Sequence, residues 1–165
     1  MDLIGNEHAK RVFEIAVKGK FNVGIVTNPR MFPLNLTKLL NNYVIVYPCP
    51  CGNFLNPESP CICSIEDITK YNMNNKTRLE NCEMVVELIK PKFEEVSKYF
   101  NLNSILVGTS RSLFKTAYVK LNLWPNDVEH ILSVSKTIAE MDGKTEIEIQ
   151  HLAEAIQYKS LLNRT

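Results

Sequence analysis

The fold of this 165-residue chain is decided by residues 21–47, which read FNVGIVTNPRMFPLNLTKLLNNYVIVY. Residues 21–26 form a short apolar run that is typical of a buried strand. Residues 43–47 form a second strand, rich in β-branched and aromatic side chains. Between them, Pro33 suits the first turn of a helix over residues 34–40. A strand, a helix and a strand over this distance predict a βαβ unit with parallel strands.

Amphipathic segments on both sides of this unit predict further helices. Residues 7–18 place apolar side chains at helical spacing, and Asn6 is a candidate N-cap. Residues 65–71 predict a helix capped by Ser64, followed by a polar, asparagine-rich loop over residues 72–77. Together with the strands, these helices predict an α/β class.

A third strand is predicted over residues 84–89, which Pro91 closes. From residue 92 onward the strongest patterns are helical, so two domains are expected: residues 1–91 as an α/β core and residues 92–165 as a helical domain. The helical segments expected in the second domain cover residues 93–100, 110–121, 125–141 and 146–162, and residues 104–109 are ambiguous between a strand and a helical turn. His130 and His151 lie in them beside charged neighbours and are interpreted as surface or boundary residues.

Bulk composition favours a globular protein of the cytoplasm. The net charge of +1 gives no electrostatic footprint for nucleic acid or an anionic membrane. The first residues lack the basic and apolar regions of a signal peptide, and no apolar run approaches the roughly 20 residues of a membrane span. In the cytoplasm, cysteines remain reduced, and a paired set indicates metal binding rather than disulfides.

Four of the five cysteines follow the second strand as two C-x-C pairs, Cys49 with Cys51 and Cys61 with Cys63. Nine residues separate the pairs, and prolines and Gly52 make the segment rich in turns. Four thiolates are a ligand set of structural zinc sites, so these cysteines are predicted to bind zinc; the alternative is four ordinary thiols in a loop. Cys82 stands apart and is interpreted as a small, buried apolar residue.

The sequence motifs of ATP hydrolysis are missing from the positions where they would be expected. No G-x-x-x-x-G-K-[ST] motif follows the first strand, and residues 27–40 contain no glycine. Pro29 and Pro33 remove backbone N–H groups that could bind phosphate. No strand ends in an acidic pair that would hold Mg²⁺, and no other catalytic motif is recognisable. ATP is therefore not expected as a cofactor, and no catalytic residue is assigned.

Three stretches nevertheless resemble one known family. They are the opening segment IGNEHAKR over residues 4–11, the cysteine segment over residues 48–64, and residues 132–158, which end in HLAEAIQY. These segments resemble the ComM branch of the magnesium-chelatase-like AAA+ ATPases. The resemblance implies a P-loop-type parallel sheet, a C-terminal helical lid, and a hexameric ATP-driven motor that acts on DNA branches during recombination.

The departures from the family pattern predict a trimmed and degenerate member. The P-loop is replaced by residues 27–33, and a long family block that includes the Walker B strand is missing between Leu40 and Tyr43. The three strands that remain correspond to neighbours in the family sheet, with the strand over residues 21–26 in the centre. Trimming exposes the edge formed by residues 43–47, where self-association or binding of intact family relatives is expected.

Three functions remain open from the sequence. The first is a zinc-stapled binding or assembly module without an ATP site, in which the metal cross-links the cysteine loop. The second is an ATP-binding subunit of a hexameric DNA branch-migration or helicase-type motor. The third is a small zinc-knuckle module that binds nucleic acid, to which the near-zero net charge gives the least support.

Overall fold

The computed structural model describes residues 3–28, 30–31, 38–40, 42–54, 56, 60–106 and 108–160. The chain divides into two compact units, Met1–Pro91 and Lys92–Thr165. The predicted helix over residues 34–40 falls mostly outside the described residues. The elements of the first unit are α1 (Glu7–Gly19), β1 (Val23–Val26), β2 (Tyr43–Val46), α2 (Ile65–Leu79) and β3 (Met84–Glu87).

The three strands form one parallel sheet in the order β2-β1-β3. Val23 of β1 is in register with Tyr43 of β2 and with Met84 of β3. The α/β class, the three-stranded parallel sheet and the central position of β1 are therefore confirmed. Since parallel strands end at the same edge, the segments that follow β1, β2 and β3 all leave the sheet on one side.

Helix α1 covers one face of this sheet. Phe13, only 1% exposed, packs in a core with Ala9 and Ala16 of the same helix and with Val23 and Ile25 of β1. These helical residues recur at the spacing that the sequence pattern indicates. Burying Phe13 contributes about 2 kcal/mol by the area removed from water.

Helix α2 covers the opposite face, and it is longer than predicted. Ser64 caps it as expected, since its Oγ accepts a 3.0 Å hydrogen bond from the Asp67 N–H. The prediction of a loop over residues 72–77 is wrong, because the helix continues to Leu79. Leu79 lies so close to Gly24 of β1 that a Cβ atom at Gly24 would overlap it. This close packing against the sheet stabilises a last turn that the local sequence does not favour.

Side chains at the start of α1 cover the outer edge of β3. Asn6 accepts a 2.9 Å hydrogen bond from the Ile89 N–H and donates a 3.0 Å hydrogen bond to the Ile89 carbonyl oxygen. The ring of His8 lies 3.0 Å from the carbonyl oxygen of Glu87. Asn6 occupies the N-cap position of α1, as predicted, but its side chain makes no capping hydrogen bond to the helix. Its side-chain amide instead makes the two hydrogen bonds to Ile89 that the backbone of a neighbouring strand would make.

The second unit is helical, as the sequence predicts, and its core is aromatic. The Phe93 ring lies 6.5 Å from Phe114 and 5.7 Å from Tyr118 between ring centroids. No helix in the described part of the chain is long and apolar enough to cross a membrane. The helices are α3 (Phe93–Tyr99), α4 (Leu102–Ile105), α5 (Thr109–Lys120), α6 (Pro125–Met141) and α7 (Ile149–Ser160).

One histidine of this unit lies where the sequence did not place it. His130 is exposed, as expected, but His151 is only 1% exposed, so its interpretation as a surface or boundary residue is wrong. Its Nδ1 accepts a 3.0 Å hydrogen bond from the Glu148 N–H, just before α7. Its Nε2 lies 3.2 Å from the carboxylate of Asp142. The buried imidazole therefore links the start of α7 to the end of α6.

Candidate metal centre

The cysteine loop begins where β2 ends, at the carboxyl edge of the sheet. Cys49 follows three residues after Val46, and its side chain is fully buried. The chain then turns sharply: the Gly52 N–H donates a 3.0 Å hydrogen bond to the Cys49 carbonyl oxygen. Gly52 has a φ of 76°, a value that residues with a Cβ seldom adopt. This turn brings the first two thiols onto the same side of the loop.

All four predicted ligands converge at one point. The sulfur atoms of Cys49, Cys51, Cys61 and Cys63 all lie within 4.8 Å of one another. The Sγ of Cys51 is 3.5 Å from that of Cys49 and 3.6 Å from that of Cys61, and the Cys61 and Cys49 sulfurs are also 3.6 Å apart. None of the four is in a disulfide. The arrangement can hold a metal ion.

These distances fit a tetrahedral ion bound by sulfur. Zinc–sulfur bonds of about 2.3 Å place the four sulfurs of a regular tetrahedron about 3.8 Å apart. The closest sulfur pairs here, at 3.5 and 3.6 Å, need to move apart only slightly to reach that spacing. Within the ranges that the structure describes, this is the one cluster of three or more cysteine, histidine or acidic residues that could hold a metal.

The two thiols of the first pair, Cys49 and Cys51, have pKa values that are shifted in opposite directions. Burial, followed by the adjacent thiols of Cys51 and Cys61, raises the pKa of Cys49 above 9.0. Burial also acts to raise the pKa of Cys51, but hydrogen bonds from the backbone of Asn53 and Ile62 and from other thiols lower that pKa to about 6. Cys51 is therefore the first thiolate of the cluster.

The second pair resists ionisation. Cys61 and Cys63 each accept a backbone hydrogen bond that acts to lower the pKa, but desolvation and the Cys51 thiol outweigh it, and both pKa values are raised above 9.0. A metal-free cluster near neutral pH therefore carries mainly the charge of Cys51. A divalent cation would reverse this preference, since it stabilises all four thiolates.

Two asparagine side chains hold the loop to the rest of the unit. Asn28, two residues after β1, donates a 2.8 Å hydrogen bond from Nδ2 to the Gly52 carbonyl oxygen and accepts a 2.9 Å hydrogen bond from the Arg30 N–H. Asn75 of α2 donates a 2.8 Å hydrogen bond to the Tyr47 carbonyl oxygen. Both amides are more than nine-tenths buried.

The sequence pattern identifies neither asparagine as part of this site. Asn28 carried one usable signal: it follows a buried strand, and loops that follow parallel strands meet at the edge where such sheets bind ligands. Asn75 carried none, because it lies in a segment that was predicted to be a loop. Cys82 lies outside the cluster and is half-buried rather than fully buried.

Comparison with known proteins places the chain in a family. A family model described as magnesium chelatase, subunit ChlI C-terminal, matches residues 75–159, which is more than half of the chain. The chain therefore belongs to the magnesium chelatase family. The match runs from α2 through β3 and into α7, and the cysteine loop precedes it. No curated protein and no solved structure matches the chain.

Proposed function

We propose that this chain is a zinc-stapled binding or assembly module of the magnesium chelatase family and does not hydrolyse ATP itself. The observation that carries the proposal is the convergence of four cysteine sulfurs within 4.8 Å at the carboxyl edge of the sheet. A set of four thiolates is typical of structural zinc sites, in which the metal contributes directly to folding. The loop that the metal closes begins directly after β2 and ends at the cap of α2.

The contacts after β1 support the absence of ATP chemistry. A phosphate-binding loop would follow this strand and would present glycine backbone N–H groups to the phosphates. Here Asn28 uses its side chain to bind the cysteine loop at Gly52 and the Arg30 N–H. The sequence also contains no Walker A motif. We therefore regard the protein as a degenerate family member, in which the segment after β1 binds the cysteine loop instead of a phosphate.

Thermal unfolding of the reduced protein tests the zinc proposal. If the metal binds only the folded state, a thousandfold excess of free zinc over its Kd stabilises that state by about 4 kcal/mol. Chelation should therefore lower the Tm, and added zinc should restore it. A Tm that does not change on chelation, in protein shown to be zinc-loaded beforehand, would contradict a structural role for the metal.

The second function, an ATP-binding subunit of a motor, has a direct test. A nucleotide that binds the folded state must raise its Tm. We expect no shift with ATP and Mg²⁺ at concentrations that saturate active ATPases. A reproducible increase in Tm with ATP and Mg²⁺ would replace the proposed function with this one, whatever the zinc content.

The proposed partners of the module are intact family relatives or a second copy of this chain, with DNA as a further possibility that comes from the family resemblance. Binding to DNA should be strongly salt-dependent, because phosphate contacts release counterions. A net charge of +1 predicts weak DNA binding at physiological salt. Tight, salt-sensitive DNA binding that is lost on chelation would instead support a zinc-knuckle module.

A further inference from the structure

We propose that the outer edge of β2 binds a second copy of this chain, with the two β2 strands antiparallel about Ile45. The proposal concerns the edge that lies opposite β3, and it does not depend on bound metal. It rests on the outward backbone groups of Ile45 and on the sequence of the strand that carries them.

The two edges of the sheet differ in how they are covered. In the parallel ladder, residues 44 and 46 of β2 point their backbone groups toward β1, so residues 43, 45 and 47 point theirs outward. The same pattern turns residues 85, 87 and 89 of the third strand and its extension outward. Asn6 and His8 contact the outward groups of residues 87 and 89, as a neighbouring strand would.

Among the described residues, the centre of the β2 edge lacks such contacts. Asn75 contacts the Tyr47 carbonyl oxygen at its far end. Across the part of the chain that the structure describes, the outward N–H and C=O groups of Ile45 have no hydrogen-bond partner. Edge strands are commonly protected by lysine, proline or a bulge within the strand. Residues 43–47 contain no charged residue and no proline.

The sequence of this edge is palindromic. Residues 43–47 read Tyr-Val-Ile-Val-Tyr, which is the same in both directions. An antiparallel copy centred on Ile45 therefore sets Ile45 against Ile45, valine against valine, and Tyr43 against Tyr47. Aromatic and β-branched cross-strand pairs of this kind stabilise antiparallel sheets. A two-fold axis makes both halves of the contact identical, as the commonest dimers require.

The central hydrogen bonds of such a pair match the outward backbone groups of Ile45. In an antiparallel ladder, residues that face one another at a hydrogen-bonded position exchange both backbone bonds. Centring the axis on Ile45 makes the two Ile45 residues one such pair, and it places the Tyr43 side chain of each copy opposite the Tyr47 side chain of the other. The Tyr47 carbonyl oxygen has two lone pairs, so its hydrogen bond from Asn75 does not block this register. The Tyr43 and Tyr47 side chains are 37% and 40% exposed, which leaves apolar surface for the partner to cover.

Replacing Tyr43 and Tyr47 by charged residues tests the partner, the edge and the strand direction together. Sedimentation of the wild-type chain over a concentration series should give a species of twice 18.9 kDa that dissociates on dilution. The variant Tyr43→Lys/Tyr47→Lys sets lysine against lysine and should raise the dimer Kd at least about tenfold. The variant Tyr43→Lys/Tyr47→Glu sets lysine against glutamate at both ends and should restore the dimer.

The matched control is Val85→Lys, which adds a lysine on β3, where Val85 is 51% exposed. This variant should dimerise like the wild type. Zinc content and circular dichroism on the same samples separate a lost interface from a lost fold. A wild-type chain that sediments at 18.9 kDa at every concentration would overturn the proposal. So would a Lys/Lys variant that dimerises like the wild type, or a Lys/Glu variant that fails to recover.

Discussion

The side-chain amide of Asn28 donates a 2.8 Å hydrogen bond to the carbonyl oxygen of Gly52. This contact joins the segment after β1 to the turn that carries Cys49 and Cys51. The two residues are 24 positions apart in the chain, so the bond exists only when the sheet has formed. The geometry of the cysteine cluster therefore depends on a residue that binds no metal.

Replacing Asn28 by aspartate should weaken zinc binding. The Asn28→Asp variant would keep an oxygen for the Arg30 N–H but would set a carboxylate against the Gly52 carbonyl oxygen, where Asn28 now donates. Partners that orient metal ligands from outside the coordination sphere typically change metal affinity by about 10- to 100-fold. We expect a zinc Kd at least about tenfold higher, measured by competition with a chelator of known affinity.

The control for this variant is Asn126→Asp, which makes the same chemical change at an exposed position of α6. It should retain the wild-type zinc Kd. Cobalt substitution adds a readout of geometry, since the absorption bands of tetrahedral cobalt thiolates should shift in Asn28→Asp alone. Equal zinc affinities and equal cobalt spectra for the two variants would show that Asn28 does not position the loop.

Zinc binding should release protons and weaken as the pH falls. The pKa values of Cys49, Cys61 and Cys63 are raised, and that of Cys51 is about 6, so near neutral pH the free cluster has one thiolate. Binding through four thiolates must then displace about three protons per zinc ion. Affinity therefore rises with pH until the raised pKa values are passed, and it falls further when Cys51 is protonated below about pH 6.

Calorimetric titration of zinc in buffers with different ionisation enthalpies measures this proton release. The observed enthalpy should depend linearly on the buffer enthalpy, with a slope near three protons, after correction for zinc–buffer binding. A slope near zero would mean that the thiols are already ionised, or that they are not the ligands.

His151 should be important for the stability of the second unit, although it belongs to no candidate site. Its Nδ1 satisfies the Glu148 N–H, and the ring is 1% exposed. His151→Ala leaves a cavity and an unpaired, partly buried donor, so we expect a loss of about 2–3 kcal/mol in the free energy of unfolding. His130→Ala, on the exposed face of α6, should change it by less than about 0.5 kcal/mol.

Urea denaturation followed by tryptophan fluorescence makes this comparison directly. Trp124 is the only tryptophan of the chain, and it is buried in the same unit as His151. Coincident midpoints for His151→Ala and the wild type would contradict a stabilising role for the imidazole.

Local pattern was sufficient to predict much of the first unit. The apolar run of β1, the β-branched run of β2 and the spacing of the α1 core residues are each encoded within a few neighbouring residues. The sheet order followed from the family resemblance, and the four metal-ligand candidates followed from the C-x-C spacing. For each of these features, the sequence signal lies within one short segment.

The errors occur where distant residues determine the structure. The end of α2 depends on Leu79 packing at Gly24 and on Asn75 reaching Tyr47, and neither contact is visible in an asparagine-rich segment. Asn6 is the N-cap residue that the sequence predicts, but its side-chain amide bonds to Ile89, 83 positions further on, rather than to the helix. The charged neighbours of His151 predict a surface or boundary residue, yet the fold buries the imidazole beside Glu148.

The most direct test of the central claim is the zinc content of purified, reduced protein, measured for the wild type, Cys61→Ser and Cys82→Ser. Cys61 lies in the four-sulfur cluster and Cys82 lies outside it. The wild type and Cys82→Ser should each contain about one zinc ion per chain, and Cys61→Ser should contain much less. Protein that is folded, reduced and free of zinc in all three cases, even after incubation with zinc, would contradict the account.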